Sequence, residues 1–374
     1  MIRIALWVTL LGGAFTLKAQ TTTLFPIEIK GKWGYMDAAG SMKIEARYDL
    51  AMEFNEGIAI VALANLPCAI NTENQRIIDT GLYQFMGGYS EGLCYVRDFK
   101  NNKAFINAQG EKIIVLPDSI YDARPFHNGL AVLGYQYDKH EIKFEVDIST
   151  IAFHFAYIDK TGNNITGYIY DDADDMHNGV ARFKKGTLFG VMDSTGKEII
   201  PAKYILLDDF FEGKAVFNEG GKFGFINRKG EVIIPPTFDM AFDFNEGMAG
   251  VWNKGKFGFI DSTGKVAVPI QYEQIRSFSE NLAAVQKDGK WGFINKAGDL
   301  VIVNRFDNAS VFREGLCAVL VKRHWGFIDR TGKMVVPTDF DAVGSFDNGV
   351  ADVVYHDIAM YIDRRGNILP RLKK

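Results

Sequence analysis

The sequence predicts an all-β fold: a tandem array of about ten small antiparallel sheets, each of three or four short strands, stacked face to face. Three observations lead there. A pentapeptide recurs, as KFGFI at 222–226 and 256–260, KWGFI at 290–294 and HWGFI at 324–328. Its glycine returns at a step of 34, at Gly190, Gly224, Gly258, Gly292 and Gly326. The chain also holds 29 Phe, 15 Tyr and 38 Gly against 10 Pro, a mixture suited to aromatic strands joined by many turns.

Extending the step backwards reaches Ala156, Ala104, Cys68 and Gly34, and forwards Met360. About ten copies then fill residues from about 24 to about 370. Within residues 223–252, a first strand covers Phe223–Ile226. A turn over Asn227–Gly230 leads to a second strand, Glu231–Ile234. The connector PPTFDMAFDFNEG follows, with room for a short strand ending at Phe244, and then a strand over Met248–Trp252. Each piece is three to six residues long, too short for a helix.

The recurring polar residues read as turn chemistry. Asp or Asn stands three residues after the marker glycine, as Asp193, Asn227, Asp261, Asn295 and Asp329, and Gly follows three later. A short acceptor opens such a turn and glycine, free to take positive φ, closes it. Asn replaces Asp freely here and no second carboxylate accompanies it, which disfavours calcium.

The strands explain the aromatics. In WGFI at 325–328, alternation places Trp325 and Phe327 on one face and Gly326 and Ile328 on the other, so both faces require cover. Two residues beyond each Glu-Gly step stands Ala or Cys: Ala59, Cys94, Ala131, Ala181, Ala215, Ala249, Ala283, Cys317 and Ala351. This small position is expected beneath a bulky aromatic of a neighbour. Cys94 and Cys317 occupy it as buried small hydrophobes, and Cys68 replaces a marker glycine, so no disulfide framework is expected.

The array breaks its own rule in places. The second copy reads PCAIN, and the step from Ala104 to Ala156 is 52, an insertion of 18 residues. It falls near 133–155, where aromatic and polar residues alternate, and is read as a tight turn grown into a long hairpin. Insertions in repeat proteins map to loops, often on a binding face. Tyr135, Tyr137, His140 and Phe144 are therefore the candidate partner-binding residues. The acidic run Asp171–Asp175 reads as a solvated patch, with calcium as its alternative.

Residues 1–19 have the form of a signal peptide: Arg3, an apolar run from Ile4 to Leu17, then Ala19. The run falls short of the ~20 residues a spanning helix needs, and no later segment approaches that length. One array over 20–374 remains, with an exported destination: periplasm, cell surface or medium. The net charge of −4 and the even mixture of signs disfavour a nucleic-acid partner. HExxH, GxSxG, Walker and CxxC motifs do not occur. No catalytic, metal or cofactor residues are expected.

The unit GKWGFINKAG with its connector and EGLCAV resembles the WG repeat of bacterial proteins. Residues 31–34 (GKWG), 289–292 (GKWG) and 324–326 (HWG) carry the signature. The resemblance implies an exported β-repeat module with a binding role and transfers no catalytic residues. An open or spiral stack is the preferred arrangement and a propeller-like ring the alternative, because ten units exceed the usual four to eight blades and neither end supplies a strand for the other. The expected function is non-enzymatic binding or scaffolding in the cell envelope or exterior, with a protein partner. The alternative is recognition or processing of an envelope polysaccharide.

Overall fold

The computed structural model describes residues 24–37, 40–143 and 146–369. The signal-peptide reading of residues 1–19 lies outside them. Among the described residues there are ten antiparallel sheets and no helix. Numbered in chain order, the blades span 24–48, 50–78, 85–116, 120–159, 172–204, 214–238, 240–272, 274–306, 308–340 and 342–363. Blade 8 shows the plan: Gln274–Ile275, Ala283–Lys287, Lys290–Ile294 and Leu300–Phe306, hydrogen-bonded in that order. The sheets run out of phase with the sequence repeat, since the connector of one copy joins the pentapeptide strand of the next. At five of the boundaries a single residue, such as Glu273 between Tyr272 and Gln274, carries the chain from one sheet to the following one.

The marker glycine exists for this geometry. In blade 8, Trp291 pairs with Phe306 and Phe293 with Ile302, so the fourth strand bulges as it passes Gly292. A Cβ on Gly292 would sit 2.5 Å from the Ile302 carbonyl oxygen. Gly34, Gly224, Gly258 and Gly326 meet the same obstacle at 2.4–2.7 Å. Where the glycine is replaced, the obstacle is gone. Ala104 lies in regular register opposite Val115. The short strand Arg76–Ile78 pairs with Ala69 and Ile70, not with Cys68. Beside Ala156 and Met360 the fourth strand shrinks to isolated bridges, Phe155 with Tyr170 and Ile362 with Ile368.

Both faces of the pentapeptide strand are covered, as alternation requires. Phe327 packs with Phe346 and Ala351 of blade 10, while Ile328 packs with Phe293 and Phe312 on the blade 8 side. Trp33, Phe223, Phe257 and Trp325 are half-buried and Trp291 is buried. The nine small positions, Ala59 through Ala351, are all buried, each at 3% exposure or less. Edge-on ring pairs join successive blades: Phe225 with Phe244, Phe259 with Phe278, Phe293 with Phe312 and Phe327 with Phe346, at centroid distances of 4.8–5.0 Å.

The array closes. Ile27 and Met36 of blade 1 (Leu24–Ile29, Lys32–Asp37, Met42–Tyr48) share one apolar cluster with Val350 and Leu369 of blade 10 (Ala342–Val343, Val350–Tyr355, Ile358–Asp363). The molecule is a ten-bladed propeller, so the ring holds and the preferred open stack does not. The physical reason is that closure here uses no shared strand. Among the described residues each terminal blade keeps three strands of its own, and apolar faces alone seal the ring. The short first strands face the axis. Residues following them in blades 5, 6 and 7 converge on Arg182, whereas the fourth strands form the rim.

Candidate functional site

Two sets of carboxylates recur through the blades, and both are structural joints. The boundary residue between blades accepts a backbone amide from the next hairpin: Asp239 from Lys254 at 2.9 Å, Glu273 from Gly289 at 2.9 Å and Asp307 from Lys322 at 2.7 Å. Its other oxygen holds the lysine of the pentapeptide, as in Lys290–Asp307 at 2.5 Å and Lys222–Asp239. That lysine holds the Asp307 and Asp239 carboxyls below the usual range. At the opposite end of the blades, the Glu of each Glu-Gly turn reaches the same turn one blade on. Glu56 accepts from Glu91 and Gly92, Glu91 from Gly129, Glu212 from Gly247, Glu246 from Asn281, Glu280 from Gly315 and Glu314 from Gly349. Glu280 and Asn281 both have positive φ, at 53° and 64°, the geometry of a type I′ turn. Sequence reasoning treated these glutamates as turn residues only. Their spacing of 34 or 35 was the signal that they bridge one turn to the next.

The inserted hairpin stands on blade 4. Leu130–Lys143 pairs with Val146–Asp159, with Tyr135 opposite His154 and Tyr137 opposite Ala152. On one face of its base Tyr135 lies 5.0 Å from Tyr168 and 6.1 Å from Tyr137 between ring centroids. The Tyr137 hydroxyl meets His154 Nε2 at 2.7 Å, and His154 Nδ1 meets the Tyr170 carbonyl at 3.3 Å. Donation by the Tyr137 O–H and by Nδ1–H satisfies both contacts with a neutral imidazole. On the other face Tyr121 packs over Gly134 and against Phe153 at 4.5 Å, with both rings exposed. Tyr135 and Tyr137 are thus brought together. His140 lies further along the same strand, opposite Ser149. Phe144 lies outside the described residues.

The acidic run does not act as one patch. Asp171 accepts the Gly186 amide at 2.6 Å, a boundary joint, and Ala173 is buried. Asp174 and Asp175 turn toward the axis. There Arg182 binds Asp174 at 2.7 Å and Asp209 at 2.9 Å, and lies 4.0 Å from Asp208. Burial raises the Asp174 and Asp208 carboxyls, with Arg182 opposing. Asp243 of blade 7 is raised to about 6, first by burial and then by Asp208 and Asp209. Among the described residues no group of three or more His, Cys, Asp or Glu could hold a metal ion. A hollow of 410 Å³ near the axis is lined by Ser279, Glu280, Arg313, Glu314 and Asp347, but its glutamates already hold Gly315 and Gly349. Cys68, Cys94 and Cys317 are free and buried, as expected. No described helix is long and apolar enough to cross a membrane.

A ring of small sheets joined by carboxylate clasps, with one aromatic hairpin projecting from it, defines a repeat propeller. The chain belongs to the family described as WG containing repeat, whose model matches residues 33–66, 155–186, 189–223, 223–257, 257–291, 291–322 and 325–357. The unmatched stretch 67–154 holds the copies marked by Cys68 and Ala104 and most of the inserted hairpin. No curated protein matches the chain. Among solved structures, one titled as the eukaryotic initiation factor aligns over 93% of this chain and 100% of its own at 10% identity, with a TM-score of 0.49. BamB from Moraxella catarrhalis aligns over 83% and 92% at 11% identity, TM-score 0.31. The extracellular domain of the putative hybrid two component system BT3049 from B. thetaiotaomicron aligns over 92% and 61% at 8% identity, TM-score 0.29. These likenesses are loose.

Proposed function

We propose that this chain is a non-enzymatic binding or scaffold protein of the bacterial cell envelope or exterior, and that the blade 4 hairpin engages a protein partner. The observation that carries the reading is an inventory of roles. The recurring Lys, Asp, Glu, Asn and Gly residues serve turns and blade joints, which leaves the hairpin as the largest departure from the repeat. Its base offers aromatics on two opposite faces, Tyr135 and Tyr137 on one, Tyr121 and Phe153 on the other. Rings divided between two faces suit insertion between the surfaces of a partner protein better than stacking on one sugar chain. Export follows from the form of residues 1–19.

The test is site-specific photo-crosslinking from position 137 in cells of the source bacterium. Controls carry Tyr121→Ser, Tyr135→Ser and Phe153→Ser, which remove the other base rings. A discrete protein adduct at 137, lost when those rings are removed, supports the reading. Adducts confined to polysaccharide, or an adduct indifferent to those rings, contradict it.

A further inference from the structure

The rim strands of the blades are edges with no further partner in the sheet, and most are blunted. Proline interrupts them in blade 5 (Pro201), blade 6 (Pro235, Pro236), blade 7 (Pro269) and blade 9 (Pro337), and the blade 1 rim strand carries Lys43, Glu45 and Arg47. Proline and charge are the devices by which edges avoid pairing with other chains. The blade 8 rim strand, Leu300–Phe306 (LVIVNRF), shares the bulge opposite the marker glycine but has neither proline nor charge at its centre. Among the described seven-residue rim strands it stands alone in this. Leu300, Val301 and Val303 are 51%, 45% and 57% exposed.

The exposed face of this strand is a chemical palindrome. Alternate positions Asp299, Val301, Val303 and Arg305 are exposed, while Ile302 at the centre is buried. Two copies laid antiparallel about Ile302 set Val301 against the second copy's Val303 and Asp299 against its Arg305, twice over. Opposed apolar side chains and opposed charges are the cross-strand pairs that stabilise antiparallel sheets. Both charged groups are within reach of such a partner from present contacts they can keep or exchange: Asp299 accepts from Asn295 Nδ2 at 3.0 Å, and Arg305 donates to the Gly332 carbonyl at 2.6 Å. The blade 3 rim strand, Lys112–Leu116, also exposes Ile113 and Val115, but it has five residues, and the same symmetry sets Glu111 against Pro117.

We propose that this protein forms a two-fold symmetric dimer through the blade 8 rim strand, paired antiparallel about Ile302. The self-complementary order of charges names a second copy as the occupant. The contact is small, so the dimer is weak and concentration-dependent.

Sedimentation velocity over a hundredfold range of concentration tests it. The parent chain shifts from monomer to dimer and stops there. Val303→Pro, which installs the residue that blades 7 and 9 carry at this place, raises the dissociation constant about tenfold or more. Asp299→Arg and Arg305→Asp each abolish self-pairing, and an equimolar mixture of the two restores a dimer, because every Arg then faces an Asp. Thermal melts confirm that each variant is folded. A parent that stays monomeric overturns the proposal. So do charge variants that pair as the parent does, or growth beyond the dimer, which would point to a heterologous contact with the blade 3 edge.

Discussion

Gly292 lies against the carbonyl of Ile302, with room for a hydrogen and none for a methyl group. That single closeness explains why one dipeptide is written again and again along the chain. Gly292→Ala is expected to force the bulged rim strand away and to destabilise the protein by about 1–3 kcal/mol, the usual cost of overpacking. At Ala104, where register is regular, glycine offers no advantage, and Ala104→Gly should lose about 0.5–1 kcal/mol through chain entropy. Denaturant unfolding of both variants checks the pair. Equal tolerance of alanine at both sites would remove the explanation.

The glutamate clasp makes a separable prediction. Both Oε atoms of Glu280 lie 3.0 Å from the Gly315 amide nitrogen. Glu280→Ala should cost about 1 kcal/mol, the net value of one such hydrogen bond. Glu56 serves a distant joint, so the two substitutions combined should give the sum of their separate effects. A double variant that loses far more than the sum would mean that the joints act as one cooperative hoop.

Much of this was legible beforehand, and the reason is physical. Strand alternation, turn glycines and the small position beneath an aromatic are local rules, and copies of a local rule reinforce each other. Thus Phe327, Ile328, Cys317 and Gly332 stand where their spacing put them. Ring closure was not legible, because it depends on a small rotation per blade that no single copy encodes. The cluster that holds both Met36 and Val350 joins residues from opposite ends of the described chain. The acidic run spans two settings, because its short strand covers only Asp172–Ala173, with Asp171 before it at a blade boundary and Asp174 beyond it. Asp171 serves a joint while Asp174 meets Arg182. For the candidate residues, spacing located Tyr135 and Tyr137 on a hairpin, but their contact with His154 and Tyr168 came from the pairing register.

The axial carboxylates set a pH dependence. Burial, with Asp208 and Asp209 alongside, raises Asp243 from 3.8 to about 6. Between those values the folded chain holds a proton that the unfolded chain has released, so protonation favours the ring. The contribution of Asp243 is complete below about 3.8 and is lost progressively as the pH rises from there through about 6. The clasp carboxylates Asp239 and Asp307 are lowered instead, and their contribution is lost only in stronger acid, below the ordinary carboxylate range. Asp243→Asn should therefore raise the melting temperature at about pH 8 and change it little at about pH 3, below the ordinary carboxyl value. Melting curves at the two pH values decide. A variant that melts below the parent at the higher pH would contradict the sign.

Thiol chemistry offers a simple check on burial. Cys94 is fully buried and its thiol is pushed up to about 12 by that burial, and the Cys317 thiol is raised by the same cause. Alkylating reagents attack the thiolate. Native protein should leave both cysteines unlabelled under conditions that label the unfolded chain within minutes. Rapid native labelling at Cys317 would show that blades 8 and 9 part readily.

The decisive measurement concerns closure. Lys30 and His356 occupy the same hairpin position in blades 1 and 10, both exposed and both with positive φ. Lys254 and Asp288 are their equivalents in the consecutive blades 7 and 8. Spin labels at each pair report the separation by pulsed dipolar spectroscopy. A closed ring predicts the same distance for the two pairs, since blades 1 and 10 are then neighbours. A separation for Lys30 and His356 several times that of Lys254 and Asp288 would mean that the array is open and that the Met36–Val350 seal does not hold in solution.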